Sequence, residues 1–209
     1  MSDSLTIRHT PDIHPDMSVP DQHQDTFSKT VVGFWIYLMS DCLVFTTLFL
    51  SYAVLHNNTF GAPSSRELFD LPMAFAETML LLCSTVTCGF ALLASLRQDK
   101  GKVILWLAVT LLLGSTFLAL ELTEFTQLVQ AGHSWSQSGF LSSFFTLVGT
   151  HGAHISVGLL WIIVMMLQVA FSGITVATFR RLIVFGLFWH FLDLVWIFIF
   201  TFVYLIGVL

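Results

Sequence analysis

Three features of the chain predict an all-α integral membrane bundle of five transmembrane helices. Hydrophobic residues make up 56% of the 209 residues and charged residues only 10%. Five apolar runs each reach the roughly 20 residues needed to cross a bilayer core of about 30 Å. Lys and Arg fall on alternate loops, as the two sides of a membrane require. A β-barrel is disfavoured, because the runs are too long and lack period-two alternation. The runs use most of the chain, so no separate soluble domain is expected, and the partners are those of a membrane protein, with no nucleic acid among them.

Residues 1–28 form a polar segment with Pro11, Pro15 and Pro20 and with Asp3, Asp12, Asp16, Asp21 and Asp25. It has too little apolar surface to fold alone, so a disordered cytoplasmic tail is expected. No apolar core precedes a small-residue cleavage site, so it does not read as a cleaved signal peptide. His9, His14 and His23 are spaced too irregularly to suggest a metal site.

The transmembrane domain occupies residues 29–209. Its first span, 31–56, is followed by a loop containing Asn57, Asn58, Gly61 and Pro63. Pro72 suits the opening turn of the second span, 72–96. Gln98-Asp99-Lys100-Gly101 makes a short turn into the third, 103–123. Gly132 to Gly139, with Ser134, Ser136 and Ser138, precedes the fourth, 140–170, and the fifth covers 182–209. Short links predict that successive helices are antiparallel neighbours. There is no internal repeat and no span broken by proline, which argues against an autonomous secondary transporter.

Arg8 and Lys29, then Arg97, Lys100 and Lys102, then Arg180 and Arg181 fall on one side; Arg66 alone falls on the other. This asymmetry predicts a cytoplasmic N-terminus and a periplasmic C-terminus. Cys42, Cys83 and Cys88 all lie within spans and in odd number, so they read as packing residues rather than a disulfide framework. Cys83 and Cys88 are expected on different sides of their helix.

Eight ionisable residues within the spans or just past their ends need partners, because hydrocarbon does not solvate them. A rise of about 1.5 Å per residue sorts them by depth. Asp41, His151 and Asp193 form a central layer, with His154 and His190 slightly toward the cytoplasm. Glu77, Glu121 and Glu124 form an outer layer. His190, Asp193, Thr201 and Tyr204 follow helical steps around Ile197 and predict one inward face of the last helix. A network shared by Asp193 with Asp41 or His151 is expected. Gly149, Gly152, Ala153, Ser156 and Gly158 predict a tightly packed fourth helix, whereas Gly173 falls in a loop. The spacing leaves three readings open: haem held by facing histidines such as His154 and His190, a proton-conducting chain, or a hydrogen-bond network joining the helices.

The sequence Gly33-Phe34-Trp35-Ile36-Tyr37-Leu38-Met39-Ser40-Asp41-Cys42 resembles the first helix of the five-helix subunit III of bo-type (cytochrome o) ubiquinol oxidases, in the haem–copper oxidase superfamily. Glu77-Thr78-Met79-Leu80-Leu81-Leu82, Glu121-Leu122-Thr123-Glu124-Phe125, Gly149-Thr150-His151-Gly152-Ala153-His154 and Phe188-Trp189-His190-Phe191-Leu192-Asp193 with Trp196 resemble its later helices, one motif per span and in order. Asp41 where cytochrome c oxidase members usually carry Glu, and Glu121 with Phe125 where they carry Gln and Tyr, look like the quinol branch.

The resemblance implies a non-catalytic subunit that stabilises the catalytic subunit I of a proton-pumping oxidase and supports its proton uptake. It implies no haem or copper in this chain, both being in the partner. It also implies contacts with the other oxidase subunits and with membrane phospholipids, and a place in the bacterial inner (plasma) membrane. A V shape with a lipid-filled cleft is expected, the first two helices forming one arm and the last three the other. Asp41, Glu77, Glu121, Glu124, His151, His154, His190 and Asp193 are carried over as motif positions, with no catalytic, cofactor or metal role. The alternatives are a cytochrome b-type haem-binding anchor and subunit III of a cytochrome c oxidase.

Overall fold

The computed structural model describes residues 22–56, 71–132 and 138–205. The helices are α1 (Gln22–Leu55), α2 (Leu71–Leu96), α3 (Lys100–Gln130), α4 (Gly139–Ser172) and α5 (Val176–Ile199), the last continuing into a π-helical turn, Phe200–Leu205. All five are long and apolar enough to cross a membrane, and no strand occurs among the described residues. The tail 1–21, with its three prolines, lies outside the described residues.

Helix ends follow local chemistry more than the apolar runs. α1 starts at Gln22, inside the polar segment. α3 continues past Thr123 to Gln130, because nothing stops it before Gly132, whose φ of +87° is left-handed. α5 starts at Val176, where the Thr175 side chain accepts from the Thr178 N–H at 3.2 Å. Ser138 caps α4 in the same way through Leu141 N–H, also at 3.2 Å. Between α2 and α3, Gln98 takes a left-handed φ of 57° and Asp99 caps α3 through Lys102 N–H. The Lys102 side chain, 3.0 Å away, is the main reason the Asp99 carboxyl is held below its ordinary value.

α2, α3, α4 and α5 pack in a ring, each against the next, with α5 closing on α2. The core of this ring is built on two tryptophans of α5. Trp189 Nε1 donates to Ser84 Oγ of α2 at 3.1 Å, and its ring lies against Gly114 of α3 and Gly158 of α4. Seven residues on, and so on the same face, Trp196 Nε1 donates to Thr78 Oγ1 of α2 at 3.1 Å. The Trp196 ring stacks on His151 of α4 and meets Phe117 of α3 edge-on. Glycines supply the space: a Cβ on Gly158 would sit 2.7 Å from the Trp189 ring, and one on Gly114 would sit 3.0 Å from it.

α1 lies outside the ring, against α4 and α5. Its buried residues are a narrow stripe, Leu38, Asp41, Phe45 and Tyr52. Successive helices are therefore neighbours from α2 onward, but α1 and α2 share no extended face. The expected division into an arm of the first two helices and an arm of the last three does not hold. The reason is that the packing face of α2 (Thr78, Leu81, Ser84, Cys88) is occupied by the ring, leaving α1 to seat its stripe on α4 and α5. Cys88 is buried and Cys83 exposed, on different sides of α2 as their spacing predicts.

Candidate functional site

The outer carboxylates converge as the depth argument predicts. Glu77 of α2 and Glu121 of α3 are buried; Glu121 lies close enough to feel Glu77 and Glu124 electrostatically, and Glu77 feels Glu124. Neither oxygen of Glu77 or Glu121 has a hydrogen-bond partner among the described residues. Glu121 lies against Gly152 of α4, where a Cβ would come within 2.8 Å of Oε1. The fully buried Tyr204 joins this group, its hydroxyl donating to Glu124 Oε2 at 3.1 Å.

Tyr204 arrives there because of the π turn. In an uninterrupted α-helix residue 204 would share the face of Ile197, which is exposed. The π turn accommodates one extra residue, so each later side chain is set back by one position. Tyr204 then takes the slot seven residues after Trp196, on the buried face. The predicted inward stripe of His190, Asp193, Thr201 and Tyr204 is therefore not one face: Asp193 and Tyr204 are buried, while His190 and Ile197 are exposed.

The central layer divides into separate pairs. His154 of α4 places Nδ1 2.7 Å from the Thr150 carbonyl and Nε2 3.2 Å from Asp41 Oδ1 of α1. One proton lies on the line between imidazole and carboxyl, joining α1 to the ring. Asp193 lies on the side of Thr85 of α2 instead, but neither Asp193 Oδ1 nor Thr85 Oγ1 has a hydrogen-bond partner among the described residues. The shared network of Asp193 with Asp41 or His151 is not formed, because Asp41 approaches from the α4 side and Asp193 points to α2. His151 is fully buried among Trp196, Phe117 and Phe45, with neither nitrogen hydrogen-bonded among the described residues. His190 lies at an exposed position of α5.

Sequence reasoning missed Thr85, Ser84 and the anchoring role of Trp189 and Trp196. Hydroxyl residues in an apolar helix were the available signal, since Ser84 and Thr78 also satisfy the Leu81 and Ala74 carbonyls of their own helix. No group of three or more His, Cys, Asp or Glu suited to a metal ion occurs among the described residues. The arrangement is one of interhelical fasteners.

The family model described as cytochrome c oxidase subunit III matches residues 5–208. The chain belongs to the cytochrome c oxidase subunit III family. It is 47% identical to the cytochrome bo(3) ubiquinol oxidase subunit 3 of Pseudomonas aeruginosa over 209 residues, the full length of both chains. It is 49% identical to the subunit of the same name from Pseudomonas putida over 185 residues, 88% of this chain and 89% of that one. It is 45% identical to the cytochrome c oxidase subunit 3 of Bacillus sp. (strain PS3) over 176 residues, 84% of this chain and 85% of that one. As a subunit III, the chain is a multi-pass membrane component of an oxidase complex and not its catalytic subunit.

Proposed function

We propose that this chain is the third subunit of a ubiquinol-oxidising, proton-pumping terminal oxidase in a bacterial inner membrane. There it stabilises the haem- and copper-bearing catalytic subunit I, contacts phospholipids and supports proton uptake. The observation that carries the reading is full-length similarity to a ubiquinol oxidase subunit 3. The geometry agrees with it, because the motif polar groups Asp41, His154 and Glu124 are engaged in helix-to-helix contacts. The eight intramembrane ionisable residues act in this reading as structural groups.

The test is purification of the native complex through a tag on this chain. A haem- and copper-bearing partner and rapid oxygen consumption with a short-chain ubiquinol are expected, and the isolated chain should show no haem absorbance. Similarity to a cytochrome c oxidase subunit 3 supports a second reading. Faster oxygen consumption with reduced cytochrome c than with quinol would select it.

A further inference from the structure

The basic residues of the chain gather at one end of the bundle. Five crossings put the start of α1, the α2–α3 turn and the α4–α5 link on the same side. The last two touch: a Cβ on Gly173 would stand 2.6 Å from Lys100 Cε and 2.8 Å from its Nζ. Lys29, Arg97, Lys100, Lys102, Arg180 and Arg181 lie at this end, six of the eight Lys and Arg of the chain. Asp99 is the one carboxylate there among the described residues, and Lys102 engages it at 3.0 Å. Arg97, Lys100 and Arg181 are exposed and have no carboxylate partner among the described residues.

Membrane topology accounts for these basic residues but not for the acids on the same side. Acidic residues contribute little to orientation, yet residues 1–21 carry Asp3, Asp12, Asp16 and Asp21 against Arg8 alone. The segment leads into α1, which rests on α4 and α5. It therefore leaves the bundle beside the α4–α5 link that Lys100 crosses. Asp12 stands ten residues before Gln22, and a chain of that length spans up to about 30 Å. That is three helix diameters of about 10 Å, enough to cross the bundle end. The anionic headgroups of a membrane surface repel an acidic segment, whereas the basic end of its own bundle attracts it. Lys100 runs over that end to Gly173 instead of outward to the surrounding lipid, so its ammonium is presented to a segment lying there.

We propose that residues 1–21 dock across this basic end, with Asp12 and Asp16 paired to Lys100, Arg97 and Arg181. Single exposed ion pairs are weak and screened by salt. Tethering offsets that weakness, because it holds the tail at an effective concentration of order millimolar, and several pairs form together. The docked tail occupies charges that anionic headgroups, or an acidic segment of another protein, would otherwise take.

Zero-length carbodiimide coupling of carboxylates to lysines tests this in the purified native complex, reconstituted in nanodiscs of zwitterionic phosphatidylcholine and read by peptide mass spectrometry. Asp99 and Lys102 are already in contact, so their link reports that the reaction works and that this end is folded. A second link, from Asp12 or Asp16 to Lys100, is expected beside it. In 1 M salt, where the Debye length is about 3 Å, the second link should fall about fivefold relative to the first. The double variant Arg97→Gln, Arg181→Gln keeps both lysines and should lower it about threefold, the worth of two exposed ion pairs. The link should persist in nanodiscs of anionic phosphatidylglycerol. An Asp99–Lys102 link with no tail link would overturn the proposal, as would a tail link unchanged in the double variant. Loss of the tail link in anionic nanodiscs would assign this end to lipid headgroups instead. Coupling of Asp12 and Asp16 only to lysines of another subunit would assign the tail to that partner.

Discussion

Trp189 lies with its ring 2.7 Å from where a Cβ would stand on Gly158. The indole cannot retreat easily, because its N–H is held by Ser84 at 3.1 Å and its far edge faces Gly114. Four helices therefore meet at one side chain, and two glycines make the meeting possible.

Gly158→Ala should accordingly destabilise the purified complex by about 1–3 kcal/mol, the usual range for overpacking a tight contact. Gly33→Ala is the comparison, because a Cβ there meets nothing within 4 Å. Thermal dissociation midpoints in detergent would show the difference. Equal midpoints for the two variants would remove Trp189 from its place at the centre of the ring. Gly173 is not a neutral comparison, although it reads as an ordinary loop residue: its φ is +72° and a Cβ would meet Lys100.

The tryptophan bonds predict an asymmetry between neighbouring hydroxyls. Ser84→Ala leaves a buried indole N–H without an acceptor, which costs about 1–3 kcal/mol. Ser115→Ala removes only an exposed hydroxyl bonded to the Leu112 carbonyl of its own helix, and should change stability by less than about 0.5 kcal/mol. Thr78→Val should resemble Ser84→Ala, through Trp196. The same melting measurement decides the order, and a Ser115→Ala variant as harmful as Ser84→Ala would contradict it.

Much of this was legible in the sequence, and the exceptions have physical causes. Five spans, the close packing at Gly152 and Gly158 of α4 and the grouping of Glu77, Glu121 and Glu124 follow from apolar run length, residue size and rise per residue, whereas Ala153 and Ser156 of the expected tight face are exposed. Those quantities are local. Tyr204 is buried as expected, but only because a π turn breaks the 3.6-residue period without a glycine or proline to announce it, and His190, expected on the same inward face, is exposed. Asp193 was assigned the wrong neighbour because depth gives height along a helix, not which helix stands beside it. The neighbours of α1 depend on how well its narrow stripe fits α4 and α5 compared with α2, a competition that no single segment records.

Topology is tested independently of packing. Reporter fusions within Arg97–Lys102 and between Gly173 and Thr175 should read cytoplasmic, because most of the basic residues lie in or beside these links. A fusion between Gly132 and Gly139 should read periplasmic. Inverted readings would reverse the sides assigned to the Glu77–Glu121–Glu124 group and to the loop at Asp99.

The division of the central layer makes the sharpest prediction. Asp41 Oδ1 and His154 Nε2 are 3.2 Å apart, so the pair should be strongly non-additive. Asp41→Asn, His154→Gln and the double variant should give a coupling energy of about 0.5–3 kcal/mol, the range for groups in direct contact. Asp41→Asn keeps the shape and can still reach the ring, so it should do less harm than Asp41→Leu. Asp193 Oδ1 has no hydrogen-bond partner among the described residues, and the Asp41 bond runs to His154 instead. Asp41→Asn combined with Asp193→Asn should therefore be additive to within about 0.5 kcal/mol, as for sites without shared partners. Subunit retention during thermal dissociation of the complex gives the stabilities of these variants and of Asp193→Asn alone on one scale. Coupling of Asp41 to Asp193 as large as its coupling to His154 would mean that a single network crosses α5. The separate assignment of α1 to α4 and of Asp193 to α2 would then have to be given up.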